Sequence, residues 1–266
     1  MGAPVVTKPL MPAAFLGHGS PMNALEHNRY TEAWRAFGAS VPTPRAILAI
    51  SAHWYVEGLA LTAMPQPRTI HDFGGFPQAL FDVQYPAPGL PELAEEVADL
   101  VRPDFIAALD HAQWGLDHGT WSVLVHAFPD ADIPVVQLSL DARKPLDWHL
   151  ALGAKLAPLR ERGVLVLGSG NVVHNLRALD WHDADGGFDW ARRFNEDARE
   201  VMTARPHDLP TLAAHPDYRM AVPTPEHFLP LLYLAGLAAA ANASATELAN
   251  GYAMGSLSMA AYVVSY

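Results

Sequence analysis

The sequence predicts an α/β protein: a single-domain three-layer sandwich with a mostly parallel central sheet, helices on both faces and late antiparallel edge strands. Three observations carry this. Short, nearly continuous apolar runs at 13–17, 46–52, 133–140 and 164–168 lack the alternation of half-exposed strands, as strands covered on both faces do. Segments with helical periodicity separate them, and alternation of strand and helix favours a parallel sheet. Half of the 266 residues are hydrophobic, enough for a sizeable core, and no linker or internal repeat divides residues 1–266.

Taken in order, residues 1–10 are expected to be a flexible N-terminus and 13–17 the first strand. A helix over 28–39 leads to the second strand at 46–52. Residues 64–91 read as a long proline-rich loop containing His71-Asp-Phe-Gly-Gly-Phe-Pro77; ordered loops of that length usually serve function. A helix over 91–101 opens on Pro91, where a missing N–H costs nothing. A helix over 120–128 precedes the strand at 133–140, with Asp117 or Thr120 as its cap. One helix over 145–162 starts at Pro145 and stops before Gly163. After the strand at 164–168, Asn171 is expected to cap a helix with His174 in its first turn. A helix over 188–203 follows. Thr224 is expected to cap another, with Pro225 first and Glu226 and His227 in its first turn, where an acid suits the helix dipole. Residues 247–252 and 256–265 are the late edge strands.

Composition excludes several functions. With 17 Lys+Arg against 28 Asp+Glu, the net charge of −11 argues against a nucleic-acid surface and against a polybasic membrane patch. The longest apolar run, 228–241, contains Pro230 and Gly236 and falls short of a membrane span. No secretion signal is recognisable, so a cytoplasmic location is expected. Without cysteine, a metal would need His, Asp or Glu ligands. There is no serine-hydrolase elbow, zinc-protease helix motif or phosphate-binding loop, and the Gly-x-Gly fragments at 17–19 and 168–170 lack their third glycine.

Thirteen histidines are present, and four sit where a strand or helix meets a Gly- or Pro-marked turn: His18, His53, His174 and His227. Imidazole is the commonest metal ligand and the usual proton shuttle near neutral pH. A side chain just past a buried strand's carboxyl end faces the crevice where open α/β sheets bind ligands. A lone histidine in such a place is more often a hydrogen-bonded core residue than a ligand; it is the four together that raise the reading of one metal centre. His118 sits at a helix start, and His71 in the proline-rich loop where it can face a cleft.

The ordered motifs Phe15-Leu-Gly-His-Gly-Ser-Pro-Met-Asn-Ala-Leu-Glu26, Ser51-Ala-His-Trp54, His71-Asp-Phe-Gly-Gly-Phe-Pro77, Asp117-His-Gly-Thr-Trp121, Ser169-Gly-Asn-Val-Val-His-Asn-Leu176 and Pro223-Thr-Pro-Glu-His-Phe228 resemble the DOPA-dioxygenase branch of the LigB-type extradiol ring-cleavage dioxygenases. The resemblance runs from about residue 11 to the end. It implies oxygen-dependent extradiol cleavage of a catechol, most plausibly 4,5-cleavage of L-DOPA, at a non-haem iron(II) site that zinc can also occupy. His18, His53 and His227 match the metal ligands, with Glu226 the rival to His227 and His174 available as a fourth. His174 matches the acid–base catalyst and His118 a second active-site histidine. His118, His71 and Ser20 are expected to bind substrate, and Trp54, Phe73, Phe76, Trp121 and Phe228 are candidate pocket aromatics. Two alternatives are a zinc-dependent hydrolase and a non-enzymatic Memo-like binding protein.

Overall fold

The computed structural model describes residues 10–265, so residues 1–9 of the expected flexible terminus lie outside it. Its strands are β1 (Ala13–Gly17), β2 (Ala46–Val56), β3 (Leu59–Thr62), β4 (Ala107–Asp110), β5 (Val135–Asp141), β6 (Val164–Gly170), β7 (Thr246–Ala249), β8 (Tyr252–Ala253), β9 (Leu257–Ser258) and β10 (Ala261–Val264). Its α-helices are α1 (Arg29–Ser40), α2 (Gln78–Phe81), α3 (Pro91–Val101), α4 (His118–Ala127), α5 (Leu146–Lys155), α6 (Pro158–Glu161), α7 (Asp189–Ala204), α8 (Tyr218–Ala221) and α9 (Leu229–Ala240).

Eight strands form one sheet in the order β4-β3-β5-β2-β6-β1-β10-β7. The central four, β5-β2-β6-β1, are parallel. On one flank β10 joins β1 antiparallel and β7 joins β10 antiparallel, as expected for late strands. The other flank was not expected: β3 is antiparallel to β5 and parallel to β4. The predicted late strands are also shorter and interrupted, because Gly251 and Gly255 take positive φ and set off a separate β8–β9 hairpin.

Successive strand residues point to opposite faces, and each face has its own core. Phe15, Leu48, Ile50 and Val166 pack with α3, α5, α7 and α9. Leu16, Ile47, Ala49 and Leu167 pack with α1 and α4. Helices thus cover both faces, and burying each such large apolar side chain contributes about 1.5–3 kcal/mol.

Local chemistry sets the helix limits. The Asn28 side chain accepts from the Tyr30 and Thr31 N–H groups while Thr31 Oγ1 accepts from the Asn28 N–H, a reciprocal cap for α1. The expected 145–162 helix is two: Pro158 has no N–H to continue the ladder, so α5 ends at Lys155 and α6 begins at Pro158. Helix α9 is apolar all round and is buried from Leu229 through Ala238, between the sheet and α5. A Cβ at Gly236 would overlap the Leu150 carbonyl oxygen, so only glycine permits this close crossing.

His149, on α5, is fully buried and hydrogen-bonds the Tyr233 hydroxyl through Nδ1 at 3.1 Å. Burial pushes its pKa down to about 4. Its neutral form therefore supports folding above the unfolded-state pKa near 6.5, and that support is lost as pH falls toward 4. Between pH 7 and pH 4.5 this one group should cost about 2 kcal/mol of stability. Urea melts at both pH values should show a smaller acid loss in His149→Phe; an unchanged loss would exclude His149 as the titrating group.

Candidate active site

Five histidines meet beyond the carboxyl ends of the parallel strands, each brought by a different segment. His18 directly follows β1. His53 lies within β2, where Ile50 faces Leu138 and Tyr55 faces Leu140, so residues 51–54 oppose a single residue of β5. Such a bulge re-aims side chains beside a site. His118 opens α4, whose cap is Asp117: Oδ1 accepts from the Thr120 N–H at 3.1 Å, and Gln137 Nε2 donates to Oδ2.

The last two histidines stand in irregular backbone, which corrects both helix expectations. The Asn171 side chain caps nothing; it donates to the Ser258 carbonyl at 2.8 Å. The Asn171 and His174 N–H groups go to the carbonyls of His227 and Ala221, so no helical ladder forms at His174. Thr224 donates its hydroxyl to Glu226 at 2.7 Å instead of capping, and α9 begins only at Leu229. Gly170 is needed here, because a Cβ would overlap the His227 carbonyl oxygen.

The rings form a tight group. Centroids of His18, His53 and His227 are 5.1, 5.3 and 5.1 Å apart. His118 lies 3.8 Å from His53, and His174 stacks on His227 at 3.4 Å with ring planes 5° apart. Two sets of donor atoms each fall within 4.8 Å of one another: His18, His53 and His118, and His174, Glu226 and His227. Either could hold a metal ion; the expected ligands His18, His53 and His227 are divided between them.

Hydrogen bonds turn the donor nitrogens inward. Ser169 Oγ donates to the Gly119 carbonyl at 2.5 Å, so it accepts from His18 Nδ1 at 3.0 Å, leaving the His18 Nε2 lone pair free. Asp72 serves two rings, with Oδ2 3.1 Å from His53 Nδ1 and Oδ1 3.0 Å from His118 Nδ1. Glu226 Oε1 lies 3.2 Å from His227 Nδ1. Carboxylate or hydroxyl partners of this kind fix the tautomer of metal-binding histidines. His53 Nε2 and His18 Nε2 then approach to 3.2 Å.

The electrostatics agree. Burial, then the neighbouring imidazoles, hold His18 and His227 well below the ordinary histidine pKa, so both offer lone pairs at neutral pH. Burial lowers His118 too, against the opposing pull of Asp72. Burial brings His174 down to about 4, although Glu226 works in the other direction. Burial disfavours ionised Asp72, but hydrogen bonds from His118 and His53 outweigh it and keep the carboxyl well below the usual range.

A cavity of about 470 Å³ opens over the five histidines. Ser20, Phe73 and Phe76 line it, while Trp121 and Phe228 are core residues and Trp54 stacks on Trp114. His71, expected to bind substrate, is not among the residues lining this cavity. Its Nε2 donates to the Val83 carbonyl at 2.9 Å, and its ring packs behind Phe73 and Trp121. The neighbouring Asp72 enters the site in its place. Asp72 and Ser169 had no assigned role from sequence, although both lie in quoted motifs. A histidine cluster without outer acceptors was the available signal.

A histidine-rich metal-competent cleft at the carboxyl edge of an α/β sheet defines the class. The model of the catalytic LigB subunit of aromatic ring-opening dioxygenases matches residues 12–264. The chain is 49% identical over 259 residues to the 4,5-DOPA dioxygenase extradiol of Escherichia coli K12, covering 96% of this chain and 95% of that one. It is 37% identical to the protein of the same name from Beta vulgaris, covering 93% and 94%. A solved Escherichia coli K12 structure, titled as an uncharacterized protein, superposes with a TM-score of 0.84 at 43% identity, covering 96% of this chain and 100% of that one. The chain belongs to the LigB family and is an aromatic ring-opening extradiol dioxygenase, acting on a small molecule with dioxygen. These matches do not favour the hydrolase or binding-protein alternatives. Among the described residues no helix is long and apolar enough to cross a membrane.

Proposed function

We propose that the protein cleaves L-DOPA or a closely related substituted catechol at the 4,5 bond, with a metal ion held by His18, His53 and His227. The observation that carries this is the near-equilateral ring triangle of 5.1–5.3 Å beneath the cavity. Imidazoles sharing one ion at about 2.1 Å from a ring nitrogen keep their centroids roughly 4.5–5.3 Å apart. His118, at 3.8 Å from His53, and His174, at 3.4 Å from His227, are too close to those rings to join the same triangle. The donor-atom distances alone favour His18, His53 and His118. Asp72, which bonds both rings, accounts for the closeness of His118 to His53 without a shared ion. Bound iron(II) supplies the redox step between catecholate and dioxygen, which zinc, with its single oxidation state, does not.

The protein's own groups do the rest. Phe73 and Phe76 give an aromatic ring an apolar wall. His174, neutral at pH 7 and at the cavity wall, takes a catechol hydroxyl proton and later returns it to the opening ring. His118, with Nδ1 held by Asp72, presents Nε2 to the substrate. The naming of the Escherichia coli and Beta vulgaris relatives as 4,5-DOPA dioxygenases supports this substrate class.

Iron(II)-reconstituted protein in an oxygen electrode should consume one O₂ per L-DOPA and give a yellow ring-opened product, and zinc should inhibit. No O₂ uptake with any catechol, together with ester or amide hydrolysis by the zinc form, would overturn this reading.

A further inference from the structure

The cavity above the histidines suits an aromatic ring but offers little to a charged side arm. Away from the histidines its wall is mainly Phe73, Phe76, Leu176, Leu179, Trp181 and Leu257, and Asp72 is already engaged by two imidazoles. A second cavity of about 630 Å³ adjoins it, and the two share Ser20, Phe76, Trp181 and Met254 as common walls. Its character is different, for Glu26, Arg29 and Asp185 line it.

Resting on the proposed catechol cleavage, we propose that this second cavity seats the charged α-amino-acid head of the substrate while the ring lies over the histidines. Arg29 is held there: its Nη2 donates to the Tyr30 hydroxyl at 2.5 Å, and that hydroxyl donates to the Tyr252 carbonyl at 3.2 Å. Asp185 stands 3.8 Å from the same nitrogen, a long and exposed pair. The remaining guanidinium donors are suited to a carboxylate, for which the planar fork is well matched. Glu26 closes the motif that begins at Phe15, and the reaction gives it no part. Its carboxylate accepts one long bond from Asn28 at 3.4 Å and has no cationic partner among the described residues. An α-ammonium group supplies that partner. An α-amino acid brings both charges at once, which a simple catechol, a catecholamine or a catechol acid does not.

The test uses four catechols: L-DOPA, dopamine without the carboxylate, 3-(3,4-dihydroxyphenyl)propanoic acid without the ammonium, and 4-methylcatechol without either. kcat/KM is measured for the iron-loaded protein and for Arg29→Gln and Glu26→Gln. Affinity for the same compounds is measured anaerobically by calorimetry on zinc-loaded protein. Arg29→Gln should weaken L-DOPA and the propanoic acid about tenfold, the lower end for a hydrogen bond to a charged group, and leave the other two unchanged. Glu26→Gln should weaken L-DOPA and dopamine only, and Arg29→Lys should restore part of the first loss. Equal effects on all four compounds, or none, overturn the proposal. Absence of cleavage with this ranking of affinities intact overturns the ring-cleavage reading and supports the head-group site. Cleavage of all four with equal efficiency does the reverse.

Discussion

Alanine at His174 should lower turnover of an iron-loaded preparation on the order of 10²–10⁴-fold, the usual contribution of general acid–base catalysis. Metal content should not change. His174 is stacked on His227 and lines the cavity, yet lies too close to that ring to share the triangle of His18, His53 and His227. Its neutral state at pH 7 follows from burial, so it is available as a base without prior deprotonation. Metal analysis beside steady-state kinetics separates the two roles. Loss of metal in His174→Ala would make it a ligand, and unchanged turnover would remove it from proton transfer.

Removing His227 should be more severe, because it takes away the metal itself. His227→Ala should lose both bound metal and all measurable oxygen uptake, while the fold survives because α9 is held by its apolar surface. Glu226→Gln should keep the ion and weaken its affinity about 10–100-fold, the range for an orienting partner. This contrast rests on the 3.2 Å contact that places Glu226 behind His227 Nδ1. Plasma emission metal analysis of both variants decides it: metal retained by His227→Ala and lost by Glu226→Gln would make the glutamate the ligand.

The central strands were legible because burial on both faces leaves an unbroken apolar run, as at β1 and β6. Strands β3 and β4 have four residues each, too few for a periodic signal, and their place depends on distant pairing, β3 with β5 and β4 with β3. The helices at Asn28 and Pro91 were readable because their start signals act locally. Those expected at Asn171 and Thr224 failed because other partners took the capping side chains: the distant Ser258 carbonyl for Asn171, and the local Glu226 carboxylate for Thr224. At the site the five histidines were visible as motifs. Their orienting groups were not, since adjacent loop residues point in opposite directions: His71 turned to Val83, and Asp72 turned to the rings.

That single aspartate couples two of the five rings to one loop. His53 comes from a strand and His118 from a helix, yet one loop carboxylate sets the tautomer of both. A transient undocking of the 64–91 segment that carried Asp72 away would release both imidazoles in the same event. Amide exchange at His118, whose N–H donates to Asp72, would report any such opening.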